Sequence, residues 1–458
     1  MKKIIILLIA ILPALVASAQ HRINIMNWLE SSDVDTAIVR EWGNNYTVVY
    51  TLENVNIYHF YIVNNTTGAV SSIELNARDG YVKDFVILDD SVFFIANCYA
   101  NFPVIGYFSL NEMLAGSGTI RYVRYTSATE TYPRRMELLR VSDGLHVMMV
   151  GSHYGTNGME YGFVADVFRR NTETVRWWIT YYLSDGFELF DDITVTDSYV
   201  VTSGQKPGAG LLLMRKFERP TNTDVSLLNS TIFNSATPYI YDTVYLYNGP
   251  TNVRNVINIK TPVFVTHSEK ECVGIACMTD SGRVGKYGVT MKLVNTNTFT
   301  GVTDIFLHQD NLNSRENQLK DLQYEVRKKT FLMLEDIFAI PGQPISYILA
   351  YDLTDMTHIL IHGGALPDRY FYHSMDNYYS TANDFVTCGH SLLVPRYSLF
   401  YSPLNTNSCF RANSLTVHKE DSYFNTLCIP IISSSPVSIN ILYQYRVAQS
   451  YAVGVICQ

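Results

Sequence analysis

Basic side chains are the scarce class in this chain. Lysine and arginine number 34 against 42 aspartates and glutamates, a formal net charge of −8. Phosphate backbones are held by basic surfaces, so this balance argues against nucleic acid as a partner. Long apolar runs are missing after Val16, which leaves no segment fit to span a membrane as a helix. Helical periodicity is almost absent, which argues against an α or α/β fold. No H-E-x-x-H, G-x-S-x-G, phosphate-binding glycine loop or EF-hand loop occurs. No catalytic residue, metal ion or cofactor is therefore assigned.

The first residues read as an export signal. Met1-Lys2-Lys3 is positive, Ile4 to Val16 is apolar, and Ala17-Ser18-Ala19 has the form of a cleavage site. Residues 1–19 are the expected signal peptide and residues 20–458 a single domain, exported to the periplasm, the cell surface or the medium. The residue directly after the cleavage point is Gln20 and not a cysteine, which argues against a lipid anchor. All seven cysteines lie beyond it, an odd number in a chain large enough to build a core without disulfides. Most are expected to be buried apolar fillers. Cys409 and Cys457, each placed at the end of a third strand, are the pair expected to bond if any does.

What the chain has in abundance is strand-forming residues. It carries 33 tyrosines and 22 phenylalanines, with many valines, isoleucines and threonines. The pattern strand, tight turn, strand, loop, strand recurs along the whole length. It is legible at DTAIVREW–YTVVYTL–IYHFYIV, at DFVILDDSVFFIANC–GYFSL, and at ELLRVSDGLHVMMVG–GFVADVF. It returns at DDITVTDSYVVTSG–GLLLMRKF, PVFVTHSEKECVGIACM–YGVTMKLV and DLQYEVRKKTFLML–SYILAYDL. DFVTCGHSLLVPR–YSLFYSPL and a weaker FNTLCIPII–SINILYQYRV–SYAVGVIC complete the series. Third-strand anchors at Tyr58, Gly106, Gly162, Gly210, Gly288, Ser346, Tyr397 and Ser450 stand 48 to 78 residues apart. The 78-residue step holds an insertion or strands the pattern does not reveal.

Four antiparallel strands per unit at this spacing is the signature of a β-propeller, and the chain resembles exported bacterial β-propeller repeat proteins over nearly its whole mature length. The resemblance is architectural, because no WD dipeptide, kelch double glycine or Asp-box is present. It implies an all-β fold of eight blades, with seven as the alternative. The last unit has three strands, and the alternating RINIMNW at 22–28 would supply its fourth. The ring would then be closed by pairing of the N- and C-terminal strands, hiding open edges.

In such a ring, the loops between second and third strands and the loops between blades share one face. Here that face collects 151–161, 278–287 and 363–382 around the channel mouth, longer loops than the first-to-second turns. Within it, RYFYHSMDNYY at 369–379 holds the densest mixture of aromatic and titratable groups. Tyr372, His373, Asp376 and Tyr379 are the expected ligand contacts, with Tyr154 and Arg283 behind them. Trp177 and Trp178 fall on an expected outer strand and read as blade packing. His358 and His362 are four apart, which on a strand is about 13 Å, too far to share an ion. Asp35, Asp84, Asp192, Asp321 and Asp384 recur at the head of first strands, which favours a structural role over a catalytic one.

The functional reading is a binding or interaction module whose ligand is a glycan or a protein. The rivals are a propeller glycoside hydrolase or polysaccharide lyase, with carboxylates contributed by different blades, and a purely structural surface component.

Overall fold

The computed structural model describes the strands, one short helix and the tightest turns between Ile23 and Cys457. Residues 1–22, 98–102, 155–157, 207–210, 219–241, 262–271, 280–287, 364–369, 379–384, 403–414 and 428–436, with the shorter connections, lie outside the description.

The described strands form seven antiparallel sheets. Each starts with one strand, in chain order Val34–Trp42, Tyr81–Leu88, Thr131–Val141, Leu189–Val195, Val253–Thr261, Asn317–Glu325 and Tyr370–Asn377. We number the sheets 1 to 7 after them. Each of these strands touches the equivalent strand of the next sheet, and that of sheet 7 touches that of sheet 1. All seven contribute to one axial channel, so they are the innermost strands of radial blades. Sheets arranged about a channel in this way make a β-propeller.

Among the described residues there are seven sheets, the alternative count, and not eight. The described strands of the expected eighth unit join other sheets. Thr426–Leu427, Val437–Tyr443 and Val447–Ser450 pair with the outer strands of sheets 4, 2 and 1. Val453–Cys457 pairs with Ile23–Leu29, whose other edge pairs with Tyr397–Ser402, the third strand of sheet 7.

Two units were also misaligned. Phe385–Ser391 is the second strand of sheet 7, and its first strand is Tyr370–Asn377, the segment expected to be an interblade loop. Sheet 5 starts at Val253, and Asp242–Asn248 completes sheet 4, so the long step contained two strands.

The core lies between neighbouring blades. Ile38, Val48, Phe60, Phe85, Phe94 and Phe108 interlock sheets 1 and 2, with Phe60 ring centroids 5.1 to 5.6 Å from three phenylalanines. Ile95, Met136, Met149 and Phe163 join sheets 2 and 3, and Val39, Val49, Val386 and Leu399 join sheets 7 and 1. The alternating strands therefore bury both faces, as blades clamped on two sides must. Helix α1 (Leu110–Ala115) follows the third strand of sheet 2. Ser109 caps it by accepting the Glu112 N–H, Gly116 ends it in the left-handed region at φ 92°, and Leu110 and Met113 anchor it in the core.

The Asp89-Asp90-Ser91 turn is held from several sides. Asp89 adopts φ 57°, which aspartate tolerates better than most residues. Trp42 Nε1 donates to its carbonyl at 2.8 Å, and Arg140 of sheet 3 pairs with its carboxylate. Asp90 accepts from Ser109 and Asn111 and receives the Leu110 N–H on its carbonyl. This turn ties sheets 1, 2 and 3 together at the end of the ring opposite the long loops.

Candidate functional site

Every innermost strand departs from regular pairing near its start. The register shifts fall at Val34/Thr36, Val82/Asp84, Pro133/Arg135, Phe190/Asp192, Arg254/Ile257, Leu319/Asp321 and Tyr372/Ser374. A bulge sets one extra residue outside the ladder and turns the strand. In sheets 2, 3, 4, 6 and 7 that residue is Lys83, Arg134, Asp191, Lys320 or His373, and the next is Asp84, Arg135, Asp192, Asp321 or Ser374. Opposite the bulges of sheets 3 and 4 stand Gly151 and Gly204. A Cβ on Gly151 would lie 2.0 Å from the Tyr132 carbonyl, and one on Gly204 1.9 Å from that of Leu189. The bulges and these glycines require each other.

The residue after each bulge fastens its blade to the next. Asp84 accepts the N–H of Phe85 at 2.9 Å through Oδ1 and that of Met136, in sheet 3, at 3.1 Å through Oδ2. Asp321 repeats this with Leu322 at 2.9 Å and, in sheet 7, with Met375 at 3.0 Å and the Ser374 hydroxyl at 2.7 Å. Asp192 accepts from Ile193 at 2.8 Å. The structural reading of the recurrent aspartates therefore holds for Asp84 and Asp321, in a role that joins blades rather than caps turns. Asp384 lies outside the described residues.

Between the blades runs a channel of about 220 Å³, lined among others by Arg40, Asp84, Arg135, Glu137, Asp192, Asp321, Gln323 and Asp376. Arg40 donates to the Val39 carbonyl and reaches Asp84 at 3.3 Å, and Arg135 approaches the same oxygen at 3.7 Å. Burial disfavours both guanidinium charges, but surrounding carboxylates, Asp84 foremost, outweigh it and push both pKa values up. Asp376 accepts the Glu41 N–H across the seam of sheets 7 and 1 at 2.7 Å and the Asn377 N–H at 2.9 Å. Burial pushes its pKa up to about 6, against the pull of Arg40 and the two N–H groups.

A second polar cluster is enclosed between sheets 6 and 7. Lys320 Nζ donates to the Tyr372 carbonyl at 2.6 Å and lies 2.7 Å from Asp336, which accepts the Ser346 hydroxyl at 2.5 Å. The Ser346 hydroxyl in turn accepts the Tyr372 N–H at 3.0 Å. Burial pushes Asp336 up and Lys320 down, and each limits the shift of the other.

Four of the six expected contact residues fall among the described ones, three of them on one strand of sheet 7 and the fourth in sheet 3. Tyr372 is fully enclosed, 1 % exposed, on the innermost strand of sheet 7. His373 occupies the bulge beside it, and Asp376 faces the channel. Tyr379 and Arg283 lie outside the described residues. Tyr154 ends the second strand of sheet 3.

That end of sheet 3 holds residues the sequence reading passed over. The Tyr132 and Tyr154 rings meet edge to face at 5.7 Å, and the Tyr132 hydroxyl donates to Glu130 at 2.6 Å. Arg134 pairs with Asp191 of sheet 4 and lies 3.8 Å from Glu160, while Gln205 donates to Asp191 at 3.2 Å. His153 shares a 2.9 Å hydrogen bond with Thr131, and burial pushes its pKa down. The signal that marks these positions is a polar doublet between apolar residues: VDTA, VKDF, PRRM, FDDI, VRNV, LKDL and YHSM, one at the head of each innermost strand.

No protein-family description matches the chain, and no curated protein matches it. Among solved structures it is similar to the WD40 domain of SCAP from fission yeast, at 9% identity and a TM-score of 0.40, covering 84% of this chain and 98% of that one. The propeller arrangement itself stands on the strand pairing and blade contacts described above. Among the described residues, no helix is long and apolar enough to cross a membrane, and no group of three His, Cys, Asp or Glu side chains is placed to hold a metal ion. Cys277 and Cys388 are buried free thiols, whereas Cys409 lies outside the described residues.

Proposed function

We propose that this chain is an exported β-propeller, one domain over residues 20–458, that serves as a binding module in the cell envelope or outside the cell. Its ligand, a glycan or a protein, seats at the end of the ring bearing loops 151–161 and 278–287. One observation carries the reading: Asp84, Asp321 and Asp376 each spend an oxygen on a backbone N–H of the following blade. Carboxylates committed in this way make a rigid ring, and ligands are met by loops on such a frame. The test is to produce residues 20–458 and screen them on a glycan array and against surface proteins of the source cell. Saturable binding to neither would sink the reading. Export is tested separately, by asking whether residues 1–19 direct a reporter out of the cytoplasm and are cleaved after Ala19.

The rival, a carbohydrate-active enzyme, draws on Asp376, a carboxyl held near pH 6 in a channel that also contains Asp321 and Glu137. Release of reducing ends or unsaturated products from polysaccharides, lost in Asp376→Asn, would favour it. Absence of turnover on substrates that the protein binds would remove it.

A further inference from the structure

We propose that the rim of sheet 3, built by Glu130, Tyr132, Arg134, Tyr154 and Glu160, binds one neutral sugar residue of a glycan. This rests on the binding-module reading and narrows it to one ligand class and one place.

The five residues come from three chain segments that the topology brings to one end of sheet 3. Thr131 starts the innermost strand, Tyr154 ends the second, and Glu160 starts the third. Tyr132 and Tyr154 are both partly exposed, so their paired rings offer apolar surface for the C–H face of a pyranose. Around them stand the side chains best suited to hydroxyl pairs. Glu130 and Glu160 are acceptors, and Arg134, about a third exposed, is a forked donor.

The cluster is also held in place before any ligand arrives. The Tyr132 hydroxyl is fixed by Glu130, and the resulting hydrogen bond raises the phenol pKa to about 12. The Tyr154 N–H donates to the Glu130 carbonyl at 2.9 Å, and Arg134 is anchored through Asp191 and Gln205 to sheet 4. Groups ordered in the free protein lose less entropy on binding.

Two observations choose among ligand classes. A protein partner spreads over a broad footprint, whereas the apolar surface of this rim is the single Tyr132–Tyr154 ring pair set among Glu130, Arg134 and Glu160, the size of one sugar ring. An acidic sugar would meet Glu130 and Glu160 within the same cluster, and Arg134 is already paired with Asp191. A neutral sugar has neither difficulty.

The test uses residues 20–458 and an array of neutral gluco-, manno-, xylo- and galacto-hexaoses with matched uronic-acid oligomers. Isothermal titration with the strongest hexaose follows, on the parent chain and on Tyr132→Ala, Tyr154→Ala and Arg134→Met. The inference expects binding to a neutral hexaose that falls at least tenfold in each variant. Tyr132→Phe, which keeps the ring, should retain most of the affinity, and the Tyr→Ala melting temperatures should stay close to the parent. Unchanged affinity in both Tyr→Ala variants moves the sugar elsewhere, overturning this site while leaving the module reading intact. Preference for uronic-acid oligomers overturns the neutral class. Binding of no oligosaccharide at all overturns the inference and leaves the module reading to its protein arm. If a variant unfolds, quenching of tyrosine fluorescence in the parent chain by the hexaose decides, and no quenching counts against the site.

Discussion

Asp84 of the second blade accepts the backbone N–H of Met136 in the third at 3.1 Å, and its other oxygen holds the N–H of Phe85 in its own blade. A carboxylate so placed joins two sheets that otherwise meet through apolar side chains and the Arg140–Asp89 pair at the turn. Removing one partner of a buried, charge-assisted hydrogen bond leaves the other unsatisfied. Asp84→Ala should cost about 3 kcal/mol, since the Met136 and Phe85 N–H groups lose their acceptor and Arg40 and Arg135 lose a neighbouring carboxylate. Asp84→Asn keeps one acceptor oxygen and should cost less. Urea unfolding at pH 7 distinguishes the two, and equal midpoints for parent and Asp84→Ala would refute the role.

Asp376 makes the comparable link from sheet 7 to sheet 1, but with a carboxyl whose pKa is raised to about 6. The folded value exceeds the unfolded one, so folding favours the protonated form. The stabilisation is complete below the unfolded pKa of about 4, and it is lost as pH rises through 6. Parent stability relative to Asp376→Asn should therefore grow as pH falls from 7 to 4, because the amide does not titrate and can still accept the Glu41 N–H. Chemical denaturation at intervals across that window measures the difference. A difference that stays flat, or shrinks towards pH 4, contradicts the assignment.

Much of the architecture was legible in the chain, and the failures have physical causes. The strand signal is sharp where both faces meet apolar neighbours, which gives a continuous apolar run such as SVFFIAN, and the strands of sheets 1 to 4 and 6 lie close to where the pattern places them. It blurs where a strand borders the polar channel. Tyr370–Asn377 carries His373, Ser374 and Asp376 between its apolar residues, so it resembled a loop rich in functional groups. The supposed contact Tyr372 is instead enclosed between blades, where Tyr372→Ala would act as a core deletion. Val253–Thr261 was missed for the same reason, with Arg254, Asn255 and Asn258 breaking its pattern. The tail strands look like a blade in sequence, because pairing to an outer edge and pairing within a sheet demand the same residues. The polar doublet at the head of the strand marks YHSM as a channel strand, whereas the tail strands Val437–Tyr443 and Val453–Cys457 start without one.

Gly151 tests the bulge directly. Its backbone φ does not demand glycine, but a methyl group would sit 2.0 Å from the Tyr132 carbonyl and 2.8 Å from the Phe163 ring. Neither backbone can yield without breaking the Pro133/Arg135 register shift. Gly151→Ala should therefore cost more than about 3 kcal/mol, beyond ordinary overpacking, and shift the Tyr132–Tyr154 pair at the rim. Gly43, at φ 62° with open space around its Cβ position, is the control, where alanine should cost about 1 kcal/mol. Similar losses at both positions, read from thermal unfolding, would mean that the bulge is pliable.

The pairing of Ile23–Leu29 yields the last expectation. It lies against Tyr397–Ser402 with Asn24 to Asn27 opposite Tyr401 to Ser398, and Val453–Cys457 covers its far edge. We infer that this strand completes the last blade and so fixes the seam where the ring meets itself. The seam is otherwise held by the apolar contacts of Val39, Val386 and Leu399 and by the Ser374 and Asp376 hydrogen bonds to Val39 and Glu41. Deleting residues 20–33 would uncover a row of unpaired N–H and C=O groups on Tyr397–Ser402, an edge that invites pairing with another chain. The truncated protein should melt several degrees lower than residues 20–458 and should elute from a sizing column as concentration-dependent oligomers. A synthetic peptide of residues 20–33 added in trans should restore part of the melting temperature, which general misfolding would not allow. A truncated chain that remains monomeric and melts with the parent would show that the N-terminal strand is dispensable to the ring.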